Sequence, residues 1–252
     1  MSWWLTKTWG SEKMLFKAFL DMLFPPLCHI CRCFLTEPTE LHLCDGCREK
    51  IIPIDSPLCL ICGVPFATEN GSDHSCGQCL TTRRPFSGAR SAARFEGPLQ
   101  ELIHRFKYGK KVHLSRPLGL LTAAALGKVP PAFSADYLVP VPLHRTRLRE
   151  RGFNQSQLIG QVLAKSWEIP LAVHNLRRIR WTTPQTGLSA AERERNIRGA
   201  FSVARPDRFT GKRLLLVDDV YTTGSTVTEC AKTLRRYGAK EVYVVTVARS
   251  II

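Results

Sequence analysis

Apolar positions along this chain follow two periods. Between residues 98 and 126 they recur at helical spacing, with Leu99, Leu102, Ile103 and Phe106 on one face of Pro98–Tyr108 and a second apolar run over Leu114–Leu126. From residue 137 the pattern alternates between short apolar runs and helical stretches. Tyr137–Val141, Lys212–Val217 and Val242–Val247 read as buried strands, the last rich in valine. Gln155–Trp167 and Ser225–Tyr237 read as helices, the second turning Val227, Cys230, Ala231 and Leu234 inward and ending at Gly238. Strands separated by helices predict an α/β fold with a parallel sheet.

The N-terminal part lacks this alternation. Residues 1–13 carry Trp3, Trp4 and Trp9 without a period, and Met14–Phe24 is apolar nearly all round. That stretch is too short to span a bilayer and contains Lys17 and Asp21, so it predicts a short helix packed on a neighbour and no membrane span. No small-residue cleavage site follows it, which points to a cytoplasmic protein. Divided by these patterns, the chain has an extension over 1–27, a cysteine-rich unit over 28–82 and an α/β domain over 83–252.

The cysteines change the picture most. Eight of the ten form Cys-x-x-Cys pairs: Cys28/Cys31, Cys44/Cys47, Cys59/Cys62 and Cys76/Cys79. A turn of this kind aims two sulfurs at one ion, and two such turns supply the four thiolates of a structural zinc ribbon. Two zinc ions are expected, with one surviving site as the rival. Sequential pairing closes a short loop in each half, whereas cross-bracing would join the first pair to the third and the second to the fourth. Gly46, Gly63 and Gly77 suit turns that need relaxed backbone angles. Cys33 is an alternative to Cys31, and Cys230 reads as a buried apolar side chain. All-cysteine sites leave no open position for metal catalysis, so zinc is structural here.

Charge points to an anionic partner. The formal net charge is +15, and Lys107, Lys110 and Lys111 cluster after the first helical run. Single-stranded DNA is one partner that fits.

The most informative string runs from Leu214 to Thr226, Leu-Leu-Leu-Val-Asp-Asp-Val-Tyr-Thr-Thr-Gly-Ser-Thr. A buried strand enters two acids, then a hydroxyl-rich turn, then a helix. Thr222, Thr223, Ser225 and Thr226 offer hydroxyls, and the turn offers backbone N–H groups and a helix N-terminus to one anion. Gly224 lets the backbone approach that anion closely. Asp218 and Asp219 would repel a phosphate but accept hydrogen bonds from a diol, or hold a divalent cation through water. The combination fits a ribose 5-phosphate group. A Walker loop is excluded, since its lysine and glycine spacing are absent.

That string resembles the phosphoribosyl pyrophosphate (PRPP) signature of type I phosphoribosyltransferases. Asp136-Tyr-Leu-Val-Pro-Val-Pro-Leu-His-Arg145, Arg151-Gly-Phe-Asn-Gln155, Thr183-Pro-Gln-Thr-Gly-Leu-Ser189 and Asn196-Ile-Arg-Gly-Ala-Phe201 resemble the ComF family, whose gamma-proteobacterial branch is often labelled GntX. Its members join a double zinc ribbon to a phosphoribosyltransferase domain and are linked to competence and use of external DNA. The resemblance covers residues 14–249. It implies a type I phosphoribosyltransferase-like parallel sheet, PRPP bound with Mg2+ by Asp218, Asp219 and Thr222–Thr226, and a pyrophosphate loop over Pro142–Arg149. That loop supplies His144, Arg145 and Arg147, and the catalytic set becomes Asp218, Asp219 and Arg145. A polar hood over Arg177–Gly199 is expected to cover the site. Nucleobase-using relatives often carry a C-terminal segment after the last strand, whereas this sequence stops at Ile252, so the acceptor pocket is expected from the zinc module. The resemblance fits both a PRPP-dependent transferase and a non-enzymatic DNA-binding or regulatory protein that keeps the pocket, with DNA-uptake or recombination proteins as further partners.

Overall fold

The computed structural model describes residues 20, 22–37, 40–68, 71–127, 134–182 and 189–251. Most of the Met14–Phe24 helix, and the Thr183–Leu188 part of the hood, lie outside them.

Four parallel strands form the centre: β1 (Gly88–Arg94), β2 (Tyr137–Pro140), β5 (Arg213–Tyr221) and β6 (Glu241–Arg249), in the order β1-β6-β5-β2. A buried parallel strand shows apolar side chains to both faces, which is why Leu214–Val217 reads as a continuous run. Leu215, Val217, Val245 and Val247 face one core, and Leu214, Leu216, Val242 and Val244 the other.

The first core is closed by α3 (Gly97–Tyr108), α4 (Ser115–Leu126) and α6 (Gln155–Trp167). Leu99, Leu102, Ile103 and Phe106 are all fully buried there, as the helical spacing predicts. Each such side chain contributes about 1.5–3 kcal/mol of burial. The second core is closed by α8 (Ser225–Arg236) through Val227, Cys230, Ala231 and Leu234. It also takes the antiparallel pair β3 (Leu176–Arg178) and β4 (Phe201–Val203), which brackets α7 (Ala190–Ile197).

Three local expectations give way. Strand β5 does not stop at Val217: its pairing with β6 continues through Asp218 opposite Thr246 to Tyr221 opposite Arg249. The acids are therefore part of the strand, and Asp219 is only 6% exposed. The segment after β2 is not an open loop over Pro142–Arg149 but a short helix, α5 (Arg145–Arg151), where His144 caps the start by accepting from the Thr146 N–H. Third, β1 is an edge strand that the period did not announce, because Gly-Ala-Arg-Ser-Ala-Ala-Arg has no β-branched residue.

Candidate functional site

Each half of the cysteine unit brings its own four sulfurs together: Cys28, Cys31, Cys44 and Cys47 in one cluster, Cys59, Cys62, Cys76 and Cys79 in the other, all within 4.8 Å of one another. Pairing is sequential. Zn–S bonds of about 2.3 Å place tetrahedral sulfurs about 3.8 Å apart. The Cys62–Cys76 and Cys31–Cys44 sulfurs lie 3.8 and 3.5 Å apart, so both clusters fit zinc and neither is a disulfide. N–H groups of Cys76 and Cys62 are aimed at the Cys59 sulfur. The first residue of each later pair, Cys44 or Cys76, caps a short helix, α1 (Asp45–Arg48) and α2 (Gly77–Thr81), so Gly46 and Gly77 need no special angles. Gly63 does, with φ +70 and a position where a Cβ would lie 2.3 Å from the Ala89 carbonyl oxygen. That close approach seats the second ribbon on β1.

The phosphate-type turn lies at the C-terminal end of β5, where open α/β sheets bind ligands. Gly224 caps α8 with φ +76, and a Cβ there would lie 2.3 Å from the Tyr221 hydroxyl oxygen. Only glycine fits. The Thr223 and Ser225 hydroxyls are 2.7 Å apart and the Ser225 N–H donates to Thr223 Oγ1, so the groups of the turn hold one another in place.

Beside the turn is a small cavity of about 180 Å3. Asp218 Oδ1 accepts from Ser156 Oγ at 2.8 Å and from the Asp219 N–H at 2.9 Å. Asp219 pairs with Lys107 Nζ at 2.8 Å and accepts from Gln155 Nε2 at 3.3 Å. Burial and the adjacent Asp219 charge push the Asp218 carboxyl up to about 7, against the opposing effects of Ser156 and Lys107. Arg147 lies over Trp181 and Arg151 over Tyr108, with ring-centre distances of 5.7 and 5.4 Å. Burial depresses the Arg178 guanidinium, whose Nε has no partner.

On the other side of the turn a larger cavity of about 820 Å3 opens against the second ribbon. Arg249, at the end of β6, donates to the Cys62 carbonyl at 2.7 Å and lies 4.2 Å over the Tyr221 ring. One zinc ligand is thereby tied, through Arg249 and Tyr221, to the glycine of the turn.

The residues singled out in the sequence are thus divided. Asp218, Asp219, His144, Arg147 and Thr226 line the small cavity, and Thr222, Thr223 and Ser225 the large one. Arg145 begins α5 and lines neither. Lys107 leaves the basic cluster and joins the site. Sequence reasoning missed Trp181, Arg84, Tyr221 and Arg249. The available signal was an arginine at the end of a valine-rich strand and a tryptophan in a polar segment.

Residues 19–80 match the double zinc ribbon domain family, and residues 156–251 the phosphoribosyl transferase domain family. Competence protein F of Haemophilus influenzae is 35% identical over 217 residues, covering 82% of this chain and 90% of that protein. DNA utilization protein YhgH of Escherichia coli is 35% identical over 230 residues, covering 90% and 98%. Competence protein ComFC of Bacillus subtilis is 28% identical over 212 residues, covering 81% and 82%. Among the described residues, no helix is long and apolar enough to cross a membrane.

Proposed function

We propose a function from one premise: this chain belongs to the ComF family, in which a double zinc ribbon precedes a phosphoribosyltransferase domain. It binds PRPP with Mg2+ at the C-terminal end of β5, acts in the cytoplasm, and takes part in the handling of DNA, the last as the names of its relatives suggest. The observation that carries this reading is the Tyr221–Ser225 turn, whose glycine sits at a backbone angle that strains any side chain, following two adjacent acids on a parallel strand.

In this reading the N–H groups and hydroxyls of Thr222–Thr226 take the 5-phosphate. Asp218 and Asp219 accept from the ribose hydroxyls. Desolvation pushes the carboxyl of Asp218 up to about 7, and a diol or a water-bridged cation would favour its charged form. Gln155 and Lys107 hold Asp219 in place. His144 and Arg147, with Arg151 behind them, receive the pyrophosphate, whereas Arg145 lies outside the cavity. Bound magnesium would supply charge screening for that leaving group. Transfer breaks the bond between ribose C1 and a pyrophosphate oxygen. The electron pair leaves with pyrophosphate, and the acceptor's lone pair forms the new bond at C1. The protein's part is to position and screen charge.

A second reading, a non-enzymatic DNA-binding or regulatory protein that retains the pocket, draws on the net charge of +15. Calorimetric titration with PRPP in Mg2+ tests what the two readings share, with one site per chain expected. No heat at millimolar ligand would remove both. Pyrophosphate release across candidate acceptors then separates them, since only the transferase produces it.

A further inference from the structure

The two cysteine clusters differ in how open they are to solvent. Cys62, the second residue of its first pair, is 3% exposed. Arg249 covers it, donating to its carbonyl at 2.7 Å and lying 3.8 Å from its sulfur. Its counterpart in the first ribbon, Cys31, is exposed. Two residues further on, the second ribbon has Val64, whereas the first has Cys33, which is also exposed.

Cys33 is therefore a further thiol beside a set of four, and a tight turn fixes it there. Arg32, between the two exposed cysteines, takes a left-handed backbone with φ 63. Its N–H donates to the Cys28 carbonyl at 3.1 Å, and the Cys28 N–H donates to the Cys33 carbonyl at 2.9 Å. A bridge between Leu27 and Phe34 closes the turn. The Cys33 thiol reaches the sulfurs of both Cys31 and Cys44, which lie 3.5 Å apart. A tetrahedral ion does not require it, since Cys28, Cys31, Cys44 and Cys47 complete the set. An accessible thiolate beside a second thiol that can resolve it is the arrangement found where cysteines respond to oxidants.

We infer that the first ribbon is an oxidation site: a peroxide joins Cys31 to Cys33 as a disulfide and releases the first zinc ion, while the second ribbon keeps its own. The inference rests on zinc in the first cluster and is independent of the PRPP reading. The Cys31 thiolate sulfur attacks one oxygen of hydrogen peroxide. The O–O bond breaks, hydroxide leaves and is protonated by solvent, and Cys31 becomes a sulfenic acid. The Cys33 sulfur then attacks the Cys31 sulfur. The S–S bond forms, the S–O bond breaks, and the departing hydroxide takes the Cys33 proton. The pair of thiols is oxidised and the peroxide is reduced to water. Only thiolates hold zinc, so the disulfide removes a ligand and the ion is given up to a competing chelator.

The test treats the full zinc-loaded chain with hydrogen peroxide in the presence of a chromogenic zinc chelator. Half of the zinc should be released, and mass analysis of the digested protein should show Cys31 joined to Cys33. Dithiothreitol with added zinc should restore the starting state. Cys33 is exposed and outside the tetrahedral set, so Cys33→Ser keeps the fold and both ions. It should release the first ion about tenfold or more slowly than the wild type. Equal release rates from the two proteins overturn the proposal. So does earlier loss of the second ribbon's ion, read from alkylation of Cys59, Cys62, Cys76 and Cys79 before the first four. Oxidation of Cys33 by itself with all zinc retained, or no release at millimolar peroxide, also contradicts it.

Discussion

The two ribbons share a motif and differ in what they touch. Cys28 and Cys47 of the first lie in the same core as Leu99, Phe106 and Leu118, and its further ties, Arg105 to the His29 carbonyl and Arg116 to Glu40, lead only to helices α3 and α4. The second has a small core of its own, Cys59, Cys62 and Cys79, and reaches instead to the sheet's C-terminal end. There Cys62 holds Arg249, Arg249 covers Tyr221, and Tyr221 fills the space beside Gly224. A structural metal site can therefore serve packing in one copy and the geometry of a ligand turn in the next.

The largest effects should come from breaking the zinc sites unequally. Zinc contributes about 10–16 kcal/mol of apparent folding free energy to a small cysteine module. Metal analysis should find two zinc ions per chain, and one in either Cys47→Ser or Cys62→Ser. Both variants should melt at lower temperature. Only Cys62→Ser should also lose the stabilisation by PRPP, because only that ribbon supports the turn. Equal ligand shifts in the two variants would erase the distinction between the ribbons.

Next in size is the ion pair under the turn. Asp219→Ala leaves Lys107 buried without its partner and should cost about 3 kcal/mol in a denaturant titration. Lys107→Met, which removes the other charge, should make D219A less costly when the two are combined. Additive costs would mean that the pair does not couple. Gly224→Ala forces a side chain into φ +76 and onto Tyr221, for about 1–3 kcal/mol, with the PRPP shift abolished. Thr223→Val should reduce that shift without abolishing it, since backbone N–H groups remain.

The smallest effect is a pH dependence. An acid whose folded pKa is raised contributes stability in full below its unfolded pKa, near 4, and that contribution is lost as pH rises through about 7. Asp218→Asn should flatten this part of the stability profile. Because the ligand favours the charged carboxylate, PRPP should bind more tightly as pH rises from 6 to 8, by at most about tenfold per unit below 7. Affinity that falls over this range would contradict the assignment of Asp218.

Much of this was legible in the sequence, for local reasons. The cysteine spacing fixed each ribbon, and the helix faces around Leu102 and Cys230 follow from period alone. What escaped was decided at long range. Asp218 and Asp219 read as the start of a loop because acids are rare in buried strands, and β6 and Lys107 supply what makes them tolerable. Lys107 read as part of a basic cluster for an anionic partner because its acid lies 112 positions away in sequence. Helix α5 read as a loop because Arg-Thr-Arg-Leu-Arg-Glu-Arg has no apolar stripe, and none of its residues is buried.

The central claim is that the acids and turn at the end of β5 form a PRPP site. Thermal unfolding of the zinc-loaded wild type and of Asp218→Ala, each with and without PRPP and Mg2+, tests it most directly. A saturating ligand should stabilise the wild type by about 2–4 kcal/mol, a shift of a few degrees. Asp218→Ala, folded and carrying two zinc ions, should show no shift. Equal shifts in the two proteins would place the ligand elsewhere and contradict the account.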